Sequence, residues 1–591
     1  MTKHVKKRDK IYPMHYSKLK PIDLSLFPYP CPDVSAANPS QHLGDSITHL
    51  QLYEPMHATF FDFDPKTTPI GWNHRYHVLS AKEVLDSSQT PWTPVNREVF
   101  IKFSPLLDPI KYMVGKYSSA PNAELLKTLP SYASTTDTCH EKILSTANAS
   151  YIDNFFYYLS SVLKNHHGFI HGMDYYGSYL GIQDRFRMNV EDDLEYLSQS
   201  TFFVDNLGKM MILEHPSGKP PPFLHDSSRS ARPKISIDDD TTLTLDALNG
   251  VTVLTEGEDT EAVEPALADS EMDLVYDNTL VNSESSSSDD SDEDDTEEAE
   301  SDASWQTMSD EDDEDAPEDE ASEDDEDDVS STDQEAHVFI YDFPVQLIFL
   351  EKCAHTFDYL FVIGLSDEEA RSALFQIVMI LMVYQKMFRF THNDLHTNNI
   401  MYVTTEHEWL YYQHQGKTYR VPTYGRIFKI IDYGRSIYKY QKRIFCSDSF
   451  SQDGDASTQY NCEPFLHPSK PRLEPNMSFD LCRLGCSIYD FVFDDNNITK
   501  NERSPQTDLQ RTIQRWCTDD HGKNVLYKRN GHERYPGFKL YKFIARSVHQ
   551  HTPEKQLTDP WFRVFEWSGT DQEKERYEAP WMNLDRYPSY V

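Results

Sequence analysis

Helical and strand-like hydrophobic patterns flank one polar stretch of this chain. Apolar residues recur at helical spacing over residues 375–388. The acidic residues at 367–369 suit the first turn of that helix, because they meet the positive end of its dipole. A short apolar run at 400–403 predicts a strand. The polar residues 391–399 between the two elements are therefore predicted to form a loop.

Other apolar segments predict the remaining elements of the core. Helical spacing at 152–163 predicts a second long helix. Strand-like runs cover 76–85, 98–103, 169–182, 201–213, 345–351 and 428–431, and residues 404–423 suggest a hairpin insertion. A further helix is predicted from residue 479. The chain thus mixes strands and helices along its length.

The charge of the chain is concentrated in one segment. Residues 235–335 hold 41 of the 97 acidic residues and no Lys or Arg, and the other 56 are almost balanced by 55 basic residues. A segment with few apolar residues and strong self-repulsion is predicted to be disordered. Its serines followed by acids, as at 285–295, resemble substrates of acidophilic kinases. The segment as a whole fits either a solvated spacer or a tether for histones or other basic proteins. The balanced remainder predicts no broad basic surface for nucleic acid.

Cysteine usage and hydropathy indicate an intracellular setting, cytoplasmic or nuclear. The eight cysteines are scattered, which predicts reduced thiols rather than a disulfide framework. The N-terminal ten residues are basic and lack an apolar core, so they do not predict a secretory signal. The longest apolar run, 374–383, is too short to cross a bilayer, and no membrane partner is expected.

The chemistry suggested by the sequence lies in two short polar motifs. Asp394 and Asn399 belong to the predicted loop, and Asp432 follows the strand predicted at 428–431. Carboxylate and amide oxygens are ligands that Mg²⁺ accepts together with water and phosphate oxygens. A carboxylate that does not bind the metal can take a proton from an attacking hydroxyl. A base, metal ligands and a phosphate-holding group are what phosphoryl transfer requires.

These motifs resemble those of the protein-kinase-like superfamily. His392-Asn393-Asp394-Leu395 with Asn399 resembles the catalytic loop H-R-D-L-x-x-x-x-N, and Asp432-Tyr433-Gly434 resembles D-F-G. The resemblance implies that Asp394 is the catalytic base and that Asn399 and Asp432 hold Mg²⁺. It gives His392 and Gly434 structural roles around the D-F-G turn.

Other segments extend the resemblance to residues 97–565. Lys102, in an apolar strand, is similar to the V-A-I-K lysine that pairs with nucleotide phosphates, and its acidic partner would be Asp153 or Glu141. Residues 351–353, with Glu351 and Cys353, would face the adenine. Residues 479–485 resemble the helix-F motif, in which Asp480 would brace the catalytic loop, and 557–562 resemble the closing L-x-H-P-W-F.

The sequence also departs from the kinase pattern. No glycine occurs from residue 72 to 114, so no Gly-rich loop precedes Lys102 and a turn near residues 87–88 would have to cover the nucleotide. Asn393 replaces the usual Arg, His396 replaces the usual Lys, and 446–476 contains no clear A-P-E. The pattern looks closest to divergent serine/threonine kinases of large DNA viruses, which would place the protein in the host cell or virion.

The resemblance implies an α+β, two-lobed kinase-like fold with a long disordered acidic insertion. The predicted parts are an N-terminal extension (1–66), the N-lobe (67–234), the insertion (235–336), the end of the N-lobe with hinge and C-lobe (337–570), and a tail (571–591). The implied function is an ATP- and Mg²⁺-dependent serine/threonine protein kinase acting on protein substrates. One alternative is a small-molecule phosphotransferase, favoured by His396 and the missing A-P-E. The other is a pseudokinase scaffold that recruits basic partners through the insertion, favoured by the missing glycines.

Overall fold

The computed structural model describes residues 14–19, 22–28, 42–61, 70–117, 123–191, 193–214, 336–493, 505, 507–528, 532–569 and 579–591. Within them, helices and strands form a mixed α+β structure. The acidic segment at 235–335, predicted above to be disordered, lies outside the described residues, as do the basic N-terminal residues. No helix in the described ranges has the length and apolar character needed to cross a membrane.

The strands are short except for two. In chain order they are β1 Tyr16–Lys18, β2 Ile47–Gln51, β3 Ile70–Trp72, β4 Tyr76–Ser80, β5 Glu83–Asp86, β6 Thr93–Asn96, β7 Val99–Pro105, β8 Tyr175–Asn189, β9 Met211–Glu214, β10 His337–Glu351, β11 His355–Thr356, β12 Ile400–Thr404, β13 Trp409–His414, β14 Lys417–Pro422, β15 Arg426–Ile430, β16 Ile437–Tyr440, β17 Arg443–Cys446 and β18 Trp581–Asn583.

Two of the helices are long and mostly buried. In chain order the α-helices are α1 His57–Phe60, α2 Pro109–Met113, α3 Glu141–Leu144, α4 Ala149–His167, α5 Leu194–Ser198, α6 Thr201–Asn206, α7 Phe357–Val362, α8 Asp367–Phe388, α9 Phe479–Val492, α10 Asp508–Trp516, α11 Phe538–Ser547, α12 Pro553–Gln556 and α13 Pro560–Arg563. The predicted helices at 152–163, 367–388 and 479 onward correspond to α4, α8 and α9.

The largest sheet carries the strand that holds Lys102. It has the order β2-β8-β10-β7, with β9 also pairing with β10, and every pairing is antiparallel. In this sheet Lys102 of β7 lies opposite Ile348 of β10. Helix α4 contacts β8 of the same sheet. The sheet and α4 therefore bring Lys102 of β7 close to Asp153 of α4.

Helix α8 and a pair of strands position the predicted loop. Ser366 and Glu369 cap the start of α8 by exchanging side-chain and backbone hydrogen bonds, which satisfies two N–H groups that the first turn cannot pair. The helix ends at Arg389, whose φ of 50° is left-handed. The polar loop then leads into β12, which pairs with β15 so that Ile400 lies opposite Ile430. The loop at 391–399 therefore ends where β12 begins, and Asp432 follows the paired end of β15.

Two strand predictions were wrong in ways that have local causes. Residues 76–85 form two paired strands, β4 and β5, because the chain reverses between Ser80 and Glu83 while the apolar alternation continues. Residues 201–213 begin as a helix rather than a strand. The side chain of Ser200 accepts a hydrogen bond from the N–H of Phe203, which caps helix α6 and overrides the β propensity of the aromatic residues.

Candidate active site

A buried lysine joins two carboxylates at the centre of the structure. Nζ of Lys102 lies 2.9 Å from Oδ2 of Asp153 on α4 and 3.0 Å from Oδ1 of Asp432, which follows β15. The side chains of Lys102 and Asp153 are 2% and 0% exposed, so the charges have little access to water. Glu141 of α3, the alternative partner, is exposed. Two buried carboxylates from different elements therefore share one buried cation.

The two carboxylates of this triad have different pKa shifts. Burial raises the pKa of Asp153 to about 6, and the negative charge of Asp432 adds to the rise while Lys102 opposes it. Burial also acts on Asp432, but the charge of Lys102 outweighs it and lowers the pKa of that carboxyl. Asp432 is therefore the more acidic of the two carboxylates, and Asp153 is the one that takes up a proton first as pH falls.

Helix α4 also fixes the backbone of the turn that carries Asp432. The N–H of Asp432 donates to the hydroxyl of Tyr157 at 2.9 Å, and the N–H of Tyr433 donates to Oδ1 of Asp153 at 2.6 Å. Asp432 has a left-handed φ of 61°, a strained conformation for a residue with a side chain. The N–H of Gly434 lies 3.4 Å from Oδ1 of Asp432. These contacts hold the carboxylate toward Lys102.

The loop at 391–399 is attached to helix α9 through Asp480. The N–H groups of His392 and Asn393 each donate to one carboxylate oxygen of Asp480 at 2.9 Å. Burial is the largest influence on Asp480 and raises the pKa of its carboxyl. The ring of His392 makes a hydrogen bond of 2.9 Å through Nε2 with the carbonyl oxygen of Ile431, next to Asp432. His392 thus connects the two polar motifs.

Asp394 lies in a cationic environment. Burial favours its protonated form, but the charges of Arg435, His396 and Arg483 overcome this effect and hold the pKa of the carboxyl well below its usual range. The hydroxyl of Tyr541 donates to Oδ1 of Asp394 at 2.7 Å. Asp394 is therefore an ionised acceptor at neutral pH.

Asn399 can present one oxygen to a cation. Its amide nitrogen donates to the carbonyl oxygen of Asp394 at 3.0 Å and lies 3.1 Å from Nε2 of His396, so the amide oxygen is the group left for coordination. The carbonyl oxygen of Asn399 accepts from the N–H of Ile431, which places the residue beside Asp432. Within the described ranges no group of three or more His, Cys, Asp or Glu side chains is arranged to hold a metal. An Asp–Asn pair suits Mg²⁺ that takes its other oxygens from phosphate and water.

Glu351, which the sequence leads us to expect beside the adenine, forms ion pairs with two lysines. Its carboxylate lies 2.8 Å from Nζ of Lys164 and 2.8 Å from Nζ of Lys429, and it accepts a hydrogen bond from the N–H of Asp174. Burial raises the pKa of this carboxyl, but the two lysines outweigh burial and lower it to about 2. Cys353 is half-buried, with Sγ 4.0 Å from the sulfur of Met173. Neither side chain belongs to the Lys102 cluster.

Sequence reasoning missed several residues of the site. Tyr157 and Tyr541 contact the predicted residues from distant parts of the chain, and no local motif marks them. Arg435 and Arg483 lie beside the predicted motifs, but the sequence does not indicate that their charges act on Asp394. Lys429 did carry a signal, because a lysine inside an apolar run requires a buried anion or a route to water, as Lys102 does.

The turn at Ser87 and Ser88, which the sequence suggested as a cover for the nucleotide, lies between β5 and β6. The hydroxyl of Ser87 donates a hydrogen bond to the backbone carbonyl oxygen of Arg75.

Comparison with known proteins gives limited similarity. No family model matches the chain. An 85-residue stretch, 14% of this chain, is 36% identical to the serine/threonine-protein kinase haspin of Mus musculus. The chain spans about a tenth of the length of that relative, since the match covers 11% of the mouse protein. The similarity hints at a protein-kinase-like relationship, and it lends no support to the viral resemblance.

Proposed function

We propose that this chain is an ATP- and Mg²⁺-dependent serine/threonine protein kinase with a two-lobed, kinase-like fold. In this proposal residues 67–234 and the start of 337–570 form the lobe with the antiparallel sheet, and the rest of 337–570 forms the lobe with the catalytic loop. The partial similarity to a serine/threonine kinase supports the proposal, but it covers only 14% of the chain. The main support is therefore the geometry of the site.

The observation that carries the proposal is the convergence of three kinds of group. Lys102 is a buried cation held by Asp153 and Asp432 at 2.9 and 3.0 Å. The paired ends of β12 and β15 bring Asn399 and Asp432 together. Asp394 is an ionised carboxylate on the loop that His392 and Asp480 anchor. A phosphate-binding cation, two oxygen ligands and a hydroxyl acceptor are the groups that phosphoryl transfer uses.

Each residue has a role in the proposed reaction. Lys102 would donate to phosphate oxygens of the nucleotide, and Asp432 with the amide oxygen of Asn399 would hold Mg²⁺, which neutralises phosphate charge when bound. Asp394 would accept a hydrogen bond from the serine or threonine hydroxyl and orient its oxygen toward the γ-phosphorus. The bond between this oxygen and phosphorus forms as the bond to the leaving ADP oxygen breaks, and the hydroxyl proton passes to Asp394.

The low pKa of Asp394 defines its contribution more closely. Despite burial, neighbouring cationic groups stabilise the ionised form, so the carboxylate is always available as an acceptor but is a weak base. Phosphoryl transfer has a loose transition state that demands little proton removal before the bond to phosphorus is made. Orientation of the hydroxyl is therefore the main role of Asp394, and proton uptake follows late.

One sequence feature favours a different function, a pseudokinase scaffold. No glycine lies between Gly71 and Gly115, so the strands before Lys102 lack the residues that let backbone approach phosphates closely. Under that alternative the acidic segment would recruit basic partners and the Lys102 triad would be structural only. The scaffold and the kinase differ in one simple property, namely the response of the folded protein to nucleotide.

Thermal melting with and without Mg²⁺–ATP tests the proposal. A ligand that binds only the folded state at a hundred times its Kd stabilises it by about 2.7 kcal/mol, so we expect the melting temperature to rise. Asp432→Ala should abolish most of this rise. The matched control is Asp448→Ala, which removes a carboxylate paired with Lys142 outside the site and should keep the response. A wild-type protein that ignores millimolar Mg²⁺–ATP would support the scaffold instead.

A further inference from the structure

A tyrosine from helix α11 contacts the proposed catalytic carboxylate. The hydroxyl of Tyr541 lies 2.7 Å from Oδ1 of Asp394, although the two residues are 147 positions apart in the sequence. Nε of Arg483 on α9 lies 2.9 Å from the same hydroxyl. The phenol therefore lies between a guanidinium and a carboxylate, and this carboxylate is the one proposed to bind the substrate hydroxyl.

The direction of both hydrogen bonds follows from the chemistry of the groups. A guanidinium can only donate, so the phenol oxygen accepts the hydrogen bond from Arg483. The phenol has one proton, and it must point to Oδ1 of Asp394. Burial raises the pKa of the phenol to about 12, which keeps that proton in place at neutral pH. Oδ1 is thereby engaged, and Oδ2 is the oxygen left for an incoming hydroxyl.

The ring of Tyr541 is packed so that the hydroxyl has little freedom. Its centroid lies 5.4 Å from the stacked ring of Phe538 and 6.1 Å from the ring of Phe479. The guanidinium carbons of Arg483 and Arg435 lie 5.2 and 6.0 Å from the ring centroid. These contacts attach the tyrosine to α9, the helix that also anchors the catalytic loop through Asp480.

We infer that Tyr541 is a positioning residue, whose hydroxyl fixes the rotation of the Asp394 carboxylate so that Oδ2 meets the acceptor hydroxyl. This inference rests on the proposed function, since it gives Tyr541 a role only through Asp394. A carboxylate attached by one freely rotating bond presents its oxygens in many orientations, and misplacement by a fraction of an ångström reduces the rate of an oriented reaction. Arg483 in turn orients the phenol.

The test is a double-mutant cycle on phosphate transfer to a generic protein substrate. Tyr541→Phe should lower kcat by about tenfold or more, the scale expected for losing a hydrogen bond to a charged group, and leave KM for ATP unchanged. In an Asp394→Asn background the same change should cause no further loss, because residues that act as a unit are not additive. Tyr527→Phe is the control, since it removes a similar phenol–carboxylate bond of 2.8 Å to Asp490.

Each other outcome overturns the inference or the function on which it rests. Equal losses in both backgrounds would show that Tyr541 is structural, and a rise in kcat would show that its hydroxyl blocks the acceptor. If Tyr541→Phe does not fold, Arg483→Gln replaces it and should also lower kcat without changing KM. A wild-type chain that transfers no phosphate, or an Asp394→Asn variant with full turnover, would instead refute the proposed function.

Discussion

Replacing Lys102 by methionine gives the sharpest test of the buried triad. The change keeps an unbranched side chain of similar length and removes a positive charge that lies within 3.0 Å of both Asp153 and Asp432. Removing one partner from a buried ion pair costs about 3–5 kcal/mol, because the remaining charge is left in a poorly solvated place. Since a domain is stable by about 5–15 kcal/mol, the melting temperature should fall substantially.

The loss caused by Lys102→Met should depend on pH in a defined direction. Burial already raises the pKa of Asp153 to about 6, above the usual value of 3.8 for an aspartic acid, so the folded state binds this proton more tightly than the unfolded state. Stability from this group is present at low pH and is lost as pH rises through the folded pKa. Without Lys102 that pKa rises further, and the charge that lowers the pKa of Asp432 is gone. The variant should therefore lose more stability at pH 8 than at pH 5.

Lys164→Met is the matched control for this experiment. Nζ of Lys164 also bridges two buried carboxylates, at 2.8 Å from Asp174 and 2.8 Å from Glu351, but outside the proposed site. Both variants should melt earlier than wild type. Only Lys102→Met should lose the rise in melting temperature caused by Mg²⁺–ATP. A Lys102→Met protein that keeps its stability and its nucleotide response would refute the reasoning.

Two further predictions concern parts of the chain outside the site. Burial raises the pKa of Glu54 to about 7, so the folded state holds this proton more tightly than the unfolded state. Wild type should therefore lose about 2–3 kcal/mol of unfolding free energy as pH rises from 5 to 8, measured by denaturant titration. The Glu54→Gln variant should lose less over the same pH range. Deleting residues 235–335 should leave the melting temperature unchanged, because Glu214 and His337 are paired neighbours in β9 and β10 and a short link can join them. A deletion variant that aggregates would contradict this prediction. Any basic partner of the acidic segment should fail to bind the deletion variant, and its binding to wild type should weaken as the salt concentration rises.

Local pattern predicted the elements whose apolar residues follow a regular period. The helices α4 and α8 and the strands β7, β12 and β15 follow from periodicity, because their apolar residues are spaced for one buried face or for full burial. The hairpin β13–β14 also lies where 404–423 predicted it. The β4–β5 reversal was missed because alternation alone does not mark a turn that lacks Gly, Pro or Asn.

The site was predictable only where a residue carries its own chemical signal. Lys102 stands out because a lysine in an apolar strand needs an anion, and the structure supplies Asp153 from the long helix. The ion pairs of Glu351 could not be predicted, because its strand predicts burial but not which lysines approach it from α4 and β15. Tyr541 gives no signal at all, since its role depends on a contact that the tertiary fold creates.

Transfer of radiolabelled γ-phosphate from ATP tests the central claim most directly. The full chain would be incubated with Mg²⁺ and a generic protein substrate, beside an Asp394→Asn variant whose nucleotide response is measured on the same preparation. We predict that wild type labels serine or threonine. We also predict that the variant binds Mg²⁺–ATP as well as wild type but transfers phosphate roughly a hundredfold more slowly, the scale of losing a positioned acceptor. Equal labelling by the two proteins, or none by wild type, would contradict the account.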